Sequence, residues 1–337
     1  MLSVFFSKSK PINYILTTVF FVGLYAWHFV RKEPSASIAG LNALIYIDRV
    51  IFGLVLLLTL LIGHFIIKNN KLDNNNSYAY LINILLLIIF SDVFYEHRLV
   101  LSNLFILLAT WNLISSDSFF VSKQRVLNAS LCVFVAMLFH FWAILFIVVV
   151  FLSVLLNFQH DYRRILIPFI TLIAVSLIYL AVGFYQDELL LEHIGQQMVY
   201  DIDWYYVQTP LDAFLFGFFL ILSVLTFISL LFNMTDLSKK ITESYLKVIG
   251  ILIVGFLVAA LTPEKRDALL IYCMFPVAVM STHFVEKLQK TWARNLFLSL
   301  LTLISLVAYS SFYWESYLTW EVDYETFEFI SKYFISK

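Results

Sequence analysis

The stretch YLINILLLIIFSDVFYEHRLVLSNLFILLATWNLI, residues 80–114, holds two long apolar runs separated by a short charged segment. Asp92, Glu96, His97 and Arg98 all fall within that segment. A charged side chain at the centre of a lipid bilayer is costly. The pattern therefore predicts two membrane helices joined by a turn that lies at a membrane surface.

The composition of the whole chain is that of a membrane protein. Hydrophobic residues make up 61% of the 337 residues, charged residues make up 13%, and the mean hydropathy is +0.88. Soluble domains are roughly 45–50% apolar and about 25% charged. The sequence has no basic patch of the kind that binds a phosphate backbone. We therefore expect an integral membrane protein that does not bind nucleic acid.

Apolar segments recur along the chain, and each is too uniformly apolar for a barrel strand, which alternates over about ten residues. Because lipid offers no partner for open backbone groups, each segment is expected to form a helix. We predict about eleven transmembrane helices, at residues 12–30, 50–67, 78–93, 99–114, 126–139, 142–157, 165–184, 212–232, 246–262, 269–284 and 295–313. The expected fold class is an all-α, polytopic membrane protein in which residues 1–337 form a single transmembrane domain.

The distribution of basic residues predicts the orientation. With the N-terminus in the cytoplasm, the cytoplasmic connections hold most of the 22 lysines and arginines but few of the 23 acids, as the positive-inside rule requires. The C-terminus is then periplasmic, and the protein is expected in the bacterial cytoplasmic (inner) membrane. Residues 185–211 form the longest periplasmic loop, and residues 314–337 form a periplasmic segment that lies at the membrane interface.

Three shorter segments carry further expectations. Residues 126–157 must cross the membrane twice, although a perpendicular span needs about 20 residues. This hairpin is therefore expected to leave a recess with His140 and Trp142 at its tip. On the cytoplasmic face, DNNNS at residues 73–77 predicts a short turn, and MLSVFF at residues 1–6 predicts an interfacial helix.

Charged residues gather on the predicted outer face. Asp48 and Arg49 precede one helix, residues 91–98 follow another, and Arg266 lies in a third connection. A carboxylate held near a cation could act as a general base toward an acceptor hydroxyl while an arginine holds a lipid phosphate. The same pattern also fits a mutually neutralising charge cluster that orients the helix ends.

Signals for metal binding are weak. Cys132 and Cys273 fall in apolar runs and are expected to be small core residues. Asp201 and Asp203 could bind a divalent cation through their oxygens, but two aspartates in an acidic loop occur easily by chance. No histidine pair has the spacing of metal ligands on a helix. The sequence therefore predicts no metal site and identifies no cofactor.

Four stretches resemble a known family. FFSKSKPIN, HRLVLSNLFILLA, FHFWAILF and HDYRRILIPFITLIAVSLIYLAVGFY together resemble an uncharacterised multi-pass inner-membrane family of Bacteroidota, described only as a domain of unknown function. The resemblance covers nearly the whole length. It implies a location and no activity.

A more distant resemblance is to the GT-C class of glycosyltransferases, which have eight to thirteen helices and an outer-facing active site. In that class an acid in the first outer loop typically serves as base, and the donor is commonly a sugar on a polyprenyl phosphate. The resemblance implies Asp48, or Glu33 in RKEPSAS, as base, with Asp92 and Glu96 as supporting acids. GT-C enzymes often have a paired acidic motif after the first helix, where this chain has RKEPSASIAGLN.

The leading hypothesis is a GT-C-like protein that handles a polyprenyl-phosphate-linked or other lipid-linked glycan at its periplasmic face. Arg49, Arg98 and Arg266 would clamp the phosphate, and His97 and His140 would also contact the substrate. One alternative is a non-catalytic subunit of a cell-envelope machine for secretion, motility or polymer export, with membrane-protein partners. A second alternative is a lipid or solute transporter. The sequence leaves open whether the protein is an enzyme.

Overall fold

The computed structural model describes residues 2–32, 39–114, 122–156, 163–186, 210–263 and 265–321. Over these residues the chain forms α-helices, short 3-10 helices and turns, with no strand. The α-helices are α1 (Leu2–Phe6), α2 (Pro11–Lys32), α3 (Ala39–Asn69), α4 (Tyr78–Ile89), α5 (His97–Leu113), α6 (Lys123–Phe139), α7 (Ile147–Leu156), α8 (Arg163–Gln186), α9 (Pro210–Asn233), α10 (Lys239–Leu261), α11 (Ile271–Lys287) and α12 (Thr291–Glu321). Each apolar segment predicted from the sequence coincides with helical structure.

Six segments of the described chain are long and apolar enough to cross a membrane. They are Pro11–Phe29, Tyr46–Asn69, Leu211–Asp236, Lys239–Leu261, Asp267–Lys287 and Thr291–Ser311. Shorter apolar helices lie at Tyr78–Ile89 and Phe141–Leu156. The protein is therefore all-α and multi-pass in character over its described residues, whereas the count of eleven spans and the orientation stay predictions.

Two helices form the centre of the bundle. All 12 residues of α4 are buried, and 94% of the span that contains α11 is buried, against 28% to 56% for the other spans. Helices that are apolar on every side belong in such a position. The central helix α11 packs against α4, α9 and α10, and α4 packs in turn against α3 and α12.

The approach of α10 to α11 depends on one glycine. A Cβ atom at Gly255 would lie 2.8 Å from Sγ of Cys273 and 3.3 Å from the backbone carbonyl carbon of Tyr272. Small residues let membrane helices pack closely. Cys273 is fully buried at this contact, and Cys132 is half-buried in α6; both are free thiols.

Polar contacts between connections occur at the two ends of the bundle. The outer end comprises residues 91–98, 140–142, 262–263 and 265–270, and side chains of these segments meet one another there. The inner end comprises α1, residues 69–77 and the neighbouring helix ends. The names follow the predicted orientation. The segments that meet at the outer end are all predicted to lie on the outer face of the membrane. Those that meet at the inner end are all predicted to lie on the cytoplasmic face.

The hairpin of α6 and α7 is short, as its sequence predicted. The Ser122 hydroxyl caps the start of α6 by accepting a hydrogen bond from the Arg125 backbone N–H at 3.4 Å. At the other end, the His140 N–H donates to the Ala136 carbonyl, and a 3-10 helix at Phe141–Phe146 then leads into α7. The chain therefore reverses at His140, at the outer end of the bundle.

Candidate functional site

A cleft of about 410 Å³ opens at the outer end of the bundle. Its walls come from the start of α5, the turn between α6 and α7, and the segment between α10 and α11. The polar and charged residues that line it are Glu96, Arg98, His140, Thr262 and Arg266, and the apolar ones are Leu99, Phe139, Phe141, Trp142, Pro263 and Leu269. Aromatic surface with a few convergent polar groups is typical of ligand pockets.

Two 3-10 helices bring the charges of the cleft together. The first, Ser91–Tyr95, ends α4 and places Glu96 directly before α5. The second, Asp267–Leu270, precedes α11 and packs against the first. As a result, Arg266 lies opposite Glu96 although the two are 170 positions apart in the chain.

Glu96 and Arg266 form an ion pair, in which an Nη1 N–H of the arginine donates to the carboxylate. The Glu96 side chain is 24% exposed and the Arg266 side chain is 51% exposed. Ion pairs this accessible to water contribute little to stability. An anion that enters the cleft can therefore compete with Glu96 for the guanidinium group at small cost.

Arg98 provides a second cation in the cleft. Its side chain is exposed, and no described residue forms an ion pair with it. A guanidinium group binds the oxygens of a phosphate or carboxylate through two parallel hydrogen bonds. The guanidinium group of Arg98 is thus available to bind an anion. At Arg266, an anion can bind by displacing the Glu96 carboxylate.

The hydrogen bonds around His140 determine its protonated nitrogen. The Thr262 hydroxyl donates to the Val258 carbonyl at 2.7 Å, so toward His140 Nε2, at 3.2 Å, it can only accept. His140 therefore carries its proton on Nε2 and presents Nδ1 as an acceptor. Burial lowers the pKa of His140 to about 4, so the ring is neutral at pH 7.

Asp48 and His97 also belong to the charged residues predicted on the outer face. They lie next to each other outside this cleft. The Asp48 carboxylate lies 3.3 Å from Nε2 of His97, and the histidine ring packs on Phe52 with centroids 4.1 Å apart. The Asp48 side chain is 62% exposed. Neither residue belongs to the cleft lining.

Arg49 is engaged in packing. Its guanidinium carbon lies 4.6 Å from the ring centroid of Phe29 and 5.8 Å from that of Tyr95. Its backbone carbonyl accepts a hydrogen bond from the Tyr25 hydroxyl at 2.8 Å. These contacts fasten α3 to α2 and to the Ser91–Tyr95 turn, away from the cleft lining.

The remaining predicted residues do not meet in the cleft. Asp92 is exposed on the Ser91–Tyr95 turn and is not among the lining residues. Glu33, Asp201 and Asp203 lie outside the described residues. Within the described part, no group of three histidine, cysteine or acidic side chains is arranged to hold a metal ion. The structure thus brings together four of the predicted residues, namely Glu96, Arg98, His140 and Arg266.

A polar network at the inner end was missed by sequence reasoning. The Glu286 carboxylate accepts hydrogen bonds from the Asn74 backbone N–H and side chain, both at 2.8 Å, and from the Asn76 side chain. Lys68 Nζ donates to the buried Asp73 carboxylate and to the Asn76 carbonyl, both at 2.6 Å. Residues 69–77, which we call the inner loop, are thus a hydrogen-bonded joint as well as the predicted turn.

The N-terminal helix α1 docks on this inner loop. The Ser77 N–H donates to the Phe6 carbonyl at 3.1 Å, and the Asn13 side chain donates to the Phe5 carbonyl at 2.9 Å. Phe6 is buried, whereas Val4 and Phe5 are exposed. One face of α1 therefore joins the bundle, and the other face is exposed.

No curated protein and no solved structure matches the chain. A family of unknown function, DUF6427, matches residues 6–318. This match spans all twelve described helices at least in part. The chain therefore belongs to the DUF6427 family, whose function is unknown.

Proposed function

We propose that this protein binds a lipid-linked phosphate, such as a polyprenyl-phosphate-linked glycan, in the outer cleft, on the periplasmic side of the bacterial inner membrane. The observation that carries the proposal is the pairing of two arginines, Arg98 and Arg266, with an aromatic wall in one open cleft. Arginine suits phosphate because its planar fork matches the phosphate oxygens. Aromatic side chains supply apolar surface for an isoprenoid chain or a sugar ring.

The proposed reaction is GT-C-like glycosyl transfer. The oxygen of an acceptor hydroxyl forms a bond to the anomeric carbon of the donor sugar, and the bond from that carbon to the phosphate oxygen breaks. The phosphate leaves with the bonding electron pair. Glu96 takes the proton of the acceptor hydroxyl, as a general base must do within hydrogen-bond reach.

The ion pair between Glu96 and Arg266, both of which line the cleft, links donor binding to this chemistry. When the phosphate of the donor takes the place of Glu96 beside Arg266, the Glu96 carboxylate is released to face the acceptor hydroxyl. In the same cleft, His140 Nδ1 accepts a hydrogen bond from a sugar or acceptor hydroxyl.

Binding is tested on purified protein in lipid nanodiscs, with polyprenyl phosphate as ligand and the corresponding polyprenol, which lacks the phosphate, as control ligand. We expect saturable binding of the phosphate form only. Replacing Arg98 with glutamine removes one charged hydrogen-bond partner, worth about 1.5–3 kcal/mol, which weakens binding about 10- to 100-fold. Equal affinity for the two ligands would contradict the proposal.

Catalysis is tested in cells that carry Glu96→Gln in place of the wild type. We expect lipid-linked glycan intermediates to accumulate while the protein is made and inserted normally. If glycans are unchanged but a membrane-protein complex is lost, the alternative role as a non-catalytic envelope subunit explains the protein better. Transport of a solute or lipid without any change in glycans would favour the transporter alternative.

A further inference from the structure

A second cavity, of about 10 Å³, lies inside the helix bundle. It is bounded by α3, α4, α5 and α11, and most of its lining is apolar. Three polar residues also line it, namely Thr59, Asn83 and Asn103. The volume corresponds to the least space that can hold one water molecule, about 10–15 Å³.

The two asparagines that face this cavity are more than nine-tenths buried. Asn83 is 8% exposed and Asn103 is 6% exposed. Within the described part of the chain, no residue forms a hydrogen bond with either carboxamide group. Neither carboxamide is among the fully enclosed polar atoms that lack a partner, so both amide groups reach accessible space. Two such groups beside one cavity indicate a small polar ligand between them.

Thr59 limits the geometry of that ligand. Its hydroxyl donates to the Leu56 carbonyl at 2.6 Å, so toward the cavity it can only accept a hydrogen bond. Each carboxamide offers both an N–H donor and an oxygen acceptor. A molecule that donates twice and also accepts satisfies all three side chains.

We propose that this cavity holds one ordered water molecule, which bridges the carboxamides of Asn83 and Asn103. Water both donates and accepts, and it fits the available volume. No carboxylate is among the lining residues, whereas a bound metal cation takes about six oxygen ligands, which usually include carboxylates. The site therefore takes a neutral ligand.

The position of the water links it to the outer cleft. Asn103 lies four residues after Leu99, which lines the cleft, so the water lies about 6 Å further along α5. It joins α5 to the central helix α4. The water thus helps to hold α5, the helix that carries Arg98 at its start, in a fixed position beneath the cleft.

The direct test is a structure of the full chain at a resolution that shows ordered water. We expect one spherical density within about 2.7–3.2 Å of a polar atom of both Asn83 and Asn103. The Asn103→Leu variant should lose this density. The control Asn112→Leu should keep it, because the Asn112 side chain donates within its own helix to the Leu108 carbonyl.

An empty cavity in the wild type, or a direct hydrogen bond between the two carboxamides, would overturn the proposal. A second measurement separates water from a cation. Thermal stability should be the same in sodium, potassium and choline chloride at equal concentration. Stabilisation by sodium alone that Asn103→Leu abolishes would show that a cation occupies the cavity instead.

Discussion

Replacing Glu96 with glutamine should make the cleft a better binding site and a worse catalyst. The substitution keeps the size of the side chain and removes its negative charge. The carboxylate contact between Glu96 and Arg266 is then lost, and the charge of the cleft becomes more positive by one. A general base contributes about 10²- to 10⁴-fold to a rate, so any transfer reaction should fall by at least about 100-fold.

The size of the expected gain in phosphate binding depends on how exposed the Glu96–Arg266 pair is. Two unit charges 4 Å apart interact by about 1 kcal/mol in water and about 4 kcal/mol near a protein surface. Because Glu96 is 24% exposed and Arg266 is 51% exposed, the lower figure applies. Removing the competing carboxylate should therefore tighten binding of polyprenyl phosphate by about 1 kcal/mol, or about fivefold.

The assay is equilibrium binding in nanodiscs at low and high salt. The gain of Glu96→Gln over wild type should vanish near 1 M salt, where the Debye length is about 3 Å. Asp236→Asn is the matched control, since Asp236 pairs with Lys287 at 3.7 Å at the inner end of the bundle. Weaker binding by Glu96→Gln at low salt, or an equal gain with Asp236→Asn, would refute the reasoning.

Three further predictions concern stability, measured by unfolding in detergent. Glu286→Ala leaves three donors of the inner loop without their acceptor. The free energy of unfolding should therefore fall by about 3 kcal/mol. A loss below about 1 kcal/mol would contradict the stabilising role of this network. Gly255→Ala forces a contact at 2.8 Å and should cost about 1–3 kcal/mol, whereas Gly217→Ala, which meets nothing within 4 Å, should be neutral. Since burial lowers the pKa of His140 from 6.5 to about 4, the unfolded state binds more protons between these values, and stability should fall as pH drops from 6.5 to 4, by on the order of 3 kcal/mol. This fall should be smaller in His140→Gln, and an unchanged pH profile would exclude a neutral buried histidine.

The helices could be predicted because the bilayer places a simple requirement on the sequence. A span must be long, apolar and helical, and the segments predicted at residues 78–93 and 99–114 are indeed α4 and α5. The reversal at His140 was also predictable, because too few residues surround it for two full spans. Both inferences use only the length and polarity of a continuous segment.

The partners of the outer charges could not be predicted in the same way. Glu96 and His97 are neighbours in sequence, yet one pairs with Arg266 and the other with Asp48. The 3-10 helix at Ser91–Tyr95, directly before α5, determines where the two side chains point. The pattern of charges in the sequence does not reveal this helix. Asp48, the base implied by the GT-C resemblance, therefore falls outside the cleft lining, and Glu96 takes its place in the proposed mechanism.

The inner loop illustrates a second limit. Asn74 and Glu286 are 212 positions apart, and neither residue is part of a periodic pattern. Asparagines in a short polar connection are common in turns, so their local sequence indicated a turn and nothing more. What the sequence does not contain is the packing of α11 beside the loop, which supplies the carboxylate.

A cryo-electron microscopy structure of the protein in nanodiscs that contain polyprenyl phosphate tests the central claim most directly. We predict phosphate density in the outer cleft, within hydrogen-bond distance of the guanidinium groups of Arg98 and Arg266, with the isoprenoid chain against the aromatic wall. Glu96 should have moved away from Arg266. A cleft that stays free of lipid, with the Glu96–Arg266 pair intact and the phosphate bound elsewhere, would contradict the account.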